Sequence, residues 1–215
     1  MGLYDPQGDA LRTKSAMKYL GAQLAADGHL ESEVAQKIGE ATQVFKTLKS
    51  IWGHCNISNK FKLVVYSSCV VQKLLYGLDS AWLSAALLKK LDGFHAKCLR
   101  RLLKISPSYI SRVSNQYVLN QLNAQPLSKT LLQRQLFLFG HIARLSSDNV
   151  VRNSVFVGDT VQLHVDQARK QGRPRNTWAS ELCKIALTFV GDQVLSETLS
   201  NKVRWDAAVK RFCGT

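Results

Sequence analysis

Long apolar runs are missing from this sequence. The best stretch, residues 63–71, is flanked by lysines and is far shorter than the roughly 18 residues that a membrane-spanning helix needs. No apolar signal core follows Met1, and Pro6 stands where a myristoylation signal has Ser or Thr. We therefore expect an intracellular protein of the nucleus, the cytoplasm or both, with no membrane partner.

Cysteines are few, and none belongs to a recognisable metal motif. The five, at positions 55, 69, 98, 183 and 213, are odd in number and widely spread, which favours free thiols in a reducing compartment. His54–Cys55 are adjacent and His95–Cys98 is one isolated pair, so finger spacing is absent. His95 falls on the apolar side of its predicted helix, which favours a hydrogen-bonded core histidine. No zinc site is expected.

Clustered carboxylates are also lacking. Two-metal phosphoryl transfer needs clustered carboxylates, and no Asp-Asp pair occurs in the sequence. The serines and histidines are not accompanied by a Gly-x-Ser-x-Gly elbow, which a hydrolase of that type would have. The sequence therefore predicts no catalytic residue, no metal ligand and no cofactor in this chain.

Acidic residues are scarce in the middle of the chain. The 215 residues carry a net charge of +14, from 29 Lys and Arg against 15 Asp and Glu. Residues 1–58 are balanced, whereas residues 59–150 contain 13 Lys and Arg against three Asp. A neutral start joined to a strongly basic body indicates a polyanionic partner. The alternative is that positive charge only keeps the protein soluble.

What the sequence has in quantity is helical periodicity. Apolar residues recur at helical spacing from Val34 to Trp52, and Ser58 is a candidate N-cap for a segment that reaches Tyr76. The valines of that segment also fit a strand, but its length favours a buried helix. Further helices are predicted over 84–104, over 115–123 and over 128–145. Two more are predicted near the C-terminus, one beginning at Trp178 and one after a cap at Ser200. A short strand is predicted over 16–24, and irregular structure over 157–175. We predict a mainly α fold, a helical bundle with a short β stub at its N-terminus.

The predicted helix over 84–104 separates apolar from basic residues. Leucines, His95 and Cys98 share one side, and no acid lies on the other. The basic side carries Lys89, Lys90, Lys97, Arg100, Arg101 and Lys104. Such a face suits a phosphate backbone, since each contact releases counterions and fixes position without reading sequence. The alternative is a solvated helix surface.

Two other basic segments are candidate contacts. On helix 128–145, Arg134, His141 and Arg144 lie on one side with Lys129, and Phe137 among them could stack on a base or pack against a neighbouring helix. Residues 169–175 are extended by Gly172 and Pro174 and resemble an AT-hook core, or else form a basic linker. The cations of this second segment are Arg169, Lys170, Arg173 and Arg175.

Several motifs, taken in order, resemble the C-terminal part of non-LTR (LINE-type) retrotransposon reverse transcriptases. Lys18-Tyr19-Leu20-Gly21 with Asp27-Gly28 is similar to the end of the palm, and Leu74-Leu75-Tyr76-Gly77 is similar to the next block. Gly140-His141-Ile142-Ala143-Arg144 resembles the Gly-His-hydrophobic-x-Arg block, and Gly172-Arg173-Pro174-Arg175 with Trp178 resembles the closing block. The resemblance covers roughly residues 14–185.

The resemblance implies a division of the chain and a role for each part. Residues 1–28 would be the end of the palm, with Tyr19, Leu20 and Gly21 at a primer-grip-like strand. Residues 29–105 would be a helical thumb of three helices that holds the template–primer. Residues 106–156 would be the post-thumb helical region, and residues 157–215 a basic linker with C-terminal helices. Expected partners are an RNA template, an RNA–DNA hybrid or a DNA duplex, and an upstream palm with fingers.

The resemblance stops short of the polymerase centre. The family's Tyr/Phe-x-Asp-Asp motif, which binds Mg²⁺ on a palm strand, is absent here. RNA-directed DNA polymerisation would therefore require an upstream palm, and this chain alone is not expected to be catalytic. Two other functions stay open: a stand-alone DNA-binding protein that uses its Gly-Arg-Pro segment in the minor groove, and a non-catalytic helical scaffold built on Phe137, Trp178 and Trp205.

Overall fold

The computed structural model describes residues 16–19, 22–25, 30–53, 56–163, 177–191 and 194–214. Within these ranges the chain is mainly helical, which confirms the predicted fold class. Buried apolar side chains form two cores, one from residues between 34 and 131 and one from residues between 136 and 213. The division between the cores lies inside one helix, between residues 131 and 136.

The N-terminal strand prediction needs a correction. Two strands are present, β1 (Ala16–Tyr19) and β2 (Ala22–Ala25), and they pair antiparallel with Tyr19 opposite Ala22. The single strand predicted over 16–24 was wrong, because β1 and β2 are separate strands that pair with each other. An apolar alternation does not distinguish one long strand from two short ones joined by two residues.

Three helical segments surround the first core. The first is α1 (Glu31–Thr47), which is followed after Leu48 by the short helix α2 (Lys49–Gly53). Acidic Glu31 and Glu33 in the first turn and Lys46 in the last turn of α1 complement the helix dipole. Side chains from one face of α1 and α2, including Phe45 and Trp52, are buried.

The second segment runs from residue 59 to residue 75 and is helical throughout, as its length predicted. It consists of α3 (Asn59–Val65), a π-helical turn (Tyr66–Val71) and α4 (Gln72–Leu75). Ser58 is the N-cap, since its hydroxyl oxygen accepts a 3.2 Å hydrogen bond from the backbone N–H of Phe61.

The third segment is α5 (Ala85–Leu102), which packs against α1, α3, α7 and α8. Two short helices follow it, α6 (Ser108–Ser111) and α7 (Asn115–Gln121). Val118 and Leu119 of α7 complete the first core. The helices predicted over 84–104 and 115–123 are therefore present, and α6 lies between them.

The helix α8 (Leu127–Ala143) belongs to both cores. Leu127 and Leu131 in its first half pack in the first core, whereas Leu136 and Phe139 in its second half pack in the second. The backbone N–H at its start, on Ser128, donates a 2.9 Å hydrogen bond to the carboxylate of Asp92 on α5. This bond fixes the start of α8 relative to α5.

The second core is closed by four more helices: α9 (Val150–Asn153), α10 (Trp178–Val190), α11 (Leu195–Ser200) and α12 (Lys202–Cys213). Asn201 caps α12, so the predicted cap at Ser200 was one residue early. No helix in the described ranges has the length and apolarity to cross a bilayer.

Candidate nucleic-acid interface

The basic helix α5 is held by an apolar inner face. Its N-cap is Ser84, whose hydroxyl accepts a hydrogen bond from the backbone N–H of Leu87. Leu91 and Leu99 are 0% exposed, and Leu102 is 1% exposed. Because this side of the helix is in the core, the exposed residues of α5 lie on the opposite side.

Five cations lie on the solvent side of α5 and at its C-terminal end. They form what we call the cationic row: Lys89, Lys90, Lys97, Arg101 and Lys104, all exposed. In the described part of the chain none of them forms an ion pair. At 100° per residue, Lys90, Lys97, Arg101 and Lys104 fall within an arc of about 60°. Their positive charge is therefore concentrated on one stripe.

Arg100 does not belong to this row, and its predicted exposure was wrong. Helical periodicity places it between Lys89 and Lys104 around the axis, yet its side chain is buried at 6% exposure. The segment after α5 folds back over it. The Nη2 atom donates to the carbonyl oxygen of Val113 at 2.7 Å and to Oδ1 of Asn115 at 2.9 Å. Its guanidinium holds this segment in place instead of facing a phosphate.

Lys104 ends α5 in a left-handed backbone conformation, with φ of 58°. The backbone N–H of Lys104 donates to the carbonyl of Arg101, and that of Ile105 donates to the carbonyl of Arg100, the hydrogen bonds of a Schellman ending. Glycine is the usual residue at this position because it has no Cβ. A lysine here costs conformational energy and adds a cation to the row.

Two further cations, which the sequence analysis did not select, lie near the C-terminal end of the row. Lys46 at the end of α1 and Lys49 at the start of α2 are exposed, and they line a cleft together with Arg101 and Lys104. Neither stands out in the sequence, because residues 1–58 have no net charge. The signal that could have found them is local: no acid occurs between Glu40 and Lys49.

The basic residues predicted on α8 do not form one exposed surface. Arg134 Nη2 donates a 2.6 Å hydrogen bond to Oε1 of Gln72, and Arg144 Nη1 donates a 3.1 Å bond to the carbonyl oxygen of Leu199. Both side chains are half-buried, whereas His141 is exposed. Arg134 and Arg144 thus tie α8 to neighbouring segments of the protein.

The aromatic residues that suggested stacking or a scaffold surface are packed in the second core or against it. Phe137 is half-buried against this core, and Trp205 is 0% exposed. Trp178 is half-buried, and its Nε1 donates a 2.8 Å hydrogen bond to the backbone carbonyl of Asp79. Of the two alternatives for Phe137, packing is the one observed.

The remaining predicted residues are divided between described and undescribed parts of the chain. Tyr19 is exposed on β1. Leu20 and Gly21 of the primer-grip-like motif lie outside the described residues. So do the four cations of the Gly-Arg-Pro segment, Arg169, Lys170, Arg173 and Arg175.

A buried polar cluster lies on the inner side of α5. The Tyr66 hydroxyl is 2.9 Å from Nδ1 of His95, which confirms His95 as a hydrogen-bonded core residue. Burial lowers the pKa of His95 to about 4, and the nearby Asp92 carboxylate opposes this shift. Burial raises the pKa of the Cys98 thiol to about 12, so this cysteine is inert as a nucleophile.

The described residues include no set of His, Cys, Asp or Glu side chains arranged to hold a metal ion. Cys69, Cys98 and Cys213 are free thiols, as the spacing of the cysteines predicted.

Comparison with known proteins found no relative: no protein-family model matches the chain, and neither a curated protein nor a solved structure matches it significantly.

Proposed function

We propose that this protein binds nucleic acid through the cationic row, holding an RNA–DNA hybrid or a DNA duplex by its phosphates. The row supports this function because its five cations are exposed and four of them lie on one helix stripe. From Lys90 to Lys104 the row extends about 21 Å, at 1.5 Å per residue. That length matches about six base pairs of duplex, at 3.4 Å per step along each strand.

Such an interface would position nucleic acid without reading its sequence. Lysine and arginine contacts to phosphates supply affinity and orientation, and base-edge contacts would be needed for specificity. A surface of this kind suits a protein that must accept any template, because hybrids are held by shape and backbone contacts. This is the role that the resemblance gives to the thumb of a LINE-type reverse transcriptase.

In that setting the chain would support RNA-directed DNA polymerisation only together with an upstream palm. The Mg²⁺ that polymerisation requires would be bound by the palm, and this chain would contribute the hold on the template–primer. The proposed contact is made by the exposed cations of α5. Other predicted contact residues are engaged within the protein instead: Arg100 is buried, Phe137 is packed, and Arg134 and Arg144 form intramolecular hydrogen bonds.

The test is the salt dependence of binding to a 16-base-pair hybrid and to a DNA duplex of the same sequence. For duplex DNA, log Kd should change with log salt by about 0.9 per phosphate contacted, so five contacts give a slope near 4.5 in magnitude. The double variant Lys90→Gln/Lys97→Gln should reduce this magnitude by about 1.8. Both side chains are exposed, so folding should be unaffected.

The matched control is Lys60→Gln/Lys202→Gln, which removes the same charge from exposed positions on α3 and α12. It should leave the slope within about 0.3 of the parent value, since these lysines are outside the row. A slope near zero for the parent protein, or equal slopes for the two double variants, would refute the proposed function.

A further inference from the structure

A cleft of about 460 Å³ opens beside the cationic row, where α1 and α2 meet the C-terminal end of α5. Its size lies within the roughly 300–1,000 Å³ of small-molecule sites. Two aromatic residues, Phe45 and Trp52, line its floor with 4% and 6% of their surface exposed, and their ring centroids are 5.1 Å apart in a stacked pair. The Trp52 Nε1 atom donates a 2.8 Å hydrogen bond to the backbone carbonyl of Phe45, which holds the indole in place.

The rim of the cleft is cationic and comes from separate elements. Lys46 and Lys49 stand on one side, from α1 and α2, and Arg101 and Lys104 stand on the other, from the end of α5. The Arg101 guanidinium carbon is 6.0 Å from the centre of the Phe45 ring. Among the described residues, none that lines the cleft is acidic.

We propose that this cleft holds one unpaired nucleotide of a nucleic-acid strand, with the base against the aromatic floor and the phosphate at the cationic rim. The inference rests on the proposed function and adds a single-strand subsite to its duplex-binding row. An aromatic floor favours a planar ring, and a four-cation rim favours an anion; a nucleotide combines the two. A paired base is stacked within its helix and does not enter a cleft of this kind.

The fourth cation of the rim, Lys104, has a left-handed backbone conformation. A left-handed helix ending is cheapest with glycine, and here a lysine with φ of 58° brings a fourth cation to the rim.

The experiment compares three labelled probes by fluorescence anisotropy: a blunt 16-base-pair duplex, the same duplex with a four-nucleotide dT overhang, and an oligo(dT) strand of eight nucleotides. The overhang should tighten binding about tenfold, which is within the range for one base on an aromatic side chain. The double variant Lys46→Gln/Lys49→Gln changes two lysines of the rim that are not in the cationic row. In this variant the preference for the overhang duplex over the blunt duplex should fall to less than about twofold. Lys60→Gln/Lys202→Gln is the charge-matched control and should retain it.

A second measurement tests the aromatic floor. In protein labelled with 5-fluorotryptophan, addition of oligo(dT) should shift the ¹⁹F resonance of Trp52, assigned through Trp52→Phe. The resonance of Trp205, which is 0% exposed in the second core, should not shift. Inorganic phosphate should leave the Trp52 resonance unchanged, because it offers the rim an anion without a ring.

The outcomes separate the two proposals. Equal binding of blunt and overhang duplexes, with an unshifted Trp52 resonance, would overturn the cleft assignment and leave the row intact. Binding of oligo(dT) and of the overhang, but not of the blunt duplex, would support the cleft and overturn the row. Binding of none of the three probes would overturn both.

Discussion

The Nη2 atom of Arg100 lies 2.7 Å from the carbonyl oxygen of Val113 and donates a hydrogen bond to it, thirteen residues along the chain. The next residue, Arg101, is exposed beside the cleft. Two adjacent arginines of the same basic helix therefore have opposite surroundings: one guanidinium is inside the protein and the other faces solvent.

This contrast predicts opposite effects of the same substitution. Arg100→Met should lower the free energy of unfolding by about 2 kcal/mol, because the Val113 carbonyl and the Asn115 side chain lose a buried donor. Arg101→Met should change stability by less than about 1 kcal/mol but weaken nucleic-acid binding. Urea unfolding and duplex titrations on the two variants provide the measurement. Equal loss of stability in both would contradict the assignment.

Lys104→Gly should make the protein more stable and a poorer binder at the same time. Glycine removes the cost of a left-handed lysine, a gain of about 1 kcal/mol in the free energy of unfolding, and it deletes one cation from the row and the cleft. The control is Asn123→Gly, at another left-handed position with φ of 47° after α7. It should keep binding unchanged, and its gain should be smaller because asparagine tolerates this conformation. Thermal unfolding and anisotropy titrations measure both effects.

Stability should fall as pH decreases from 6.5 towards 4, and His95 is the reason. The pKa of His95 is lowered by burial to about 4 in the folded protein, from 6.5 in the unfolded chain. Between these values the unfolded state binds more protons, so the stabilisation is complete above pH 6.5 and is lost as pH falls towards 4, by on the order of 3 kcal/mol.

The variant His95→Gln removes this titration and keeps a polar partner for Tyr66. Its free energy of unfolding should be lower at pH 7 and should vary less between pH 6.5 and 4 than that of the parent. His141→Gln, on the exposed side of α8, should retain the parent's profile. Urea midpoints measured every half pH unit would decide, and a parental slope in His95→Gln would contradict the prediction.

Gly140 lies directly against the indole of Trp205, which predicts that Gly140→Ala is destabilising in the middle of a helix. A Cβ there would be 2.8 Å from Cε2 of Trp205 and closer still to Nε1 and Cδ1. The indole is fixed, since its Nε1 donates a 2.9 Å hydrogen bond to the Leu136 carbonyl. We expect a loss of about 2 kcal/mol from overpacking. Gly93→Ala, on the exposed side of α5 with no atom near its Cβ, should instead gain up to about 1 kcal/mol.

Periodicity predicted much of the fold correctly. The helices α1, α5, α7, α8 and α10 are present where apolar spacing indicated them, and the caps at Ser58 and Ser84 have the residue type that a helix start favours. Local signals suffice for these features because helix hydrogen bonds join residues only four apart. The second strand was missed because an apolar pattern does not show where one strand ends and the next begins. The cap at Asn201 was missed because Ser200 and Asn201 are adjacent and both are residue types that cap helices.

Charge counting predicted that one side of α5 is basic and free of acid, and five of the six cations that it selected there, from Lys89 to Lys104, are exposed. The same counting selected Arg100, whose burial depends on a segment that folds back from residues 106–115. A helix wheel contains no information about such a covering segment.

Residue order alone thus established a helical protein with a concentrated positive charge, because both properties depend on neighbours in the chain. Tertiary packing decided which cations are exposed, that Lys46 and Lys49 stand beside Arg101 and Lys104, and that Phe45 and Trp52 lie beneath them. These arrangements join residues about fifty positions apart, and they arise only when the apolar faces of α1 and α5 are buried together.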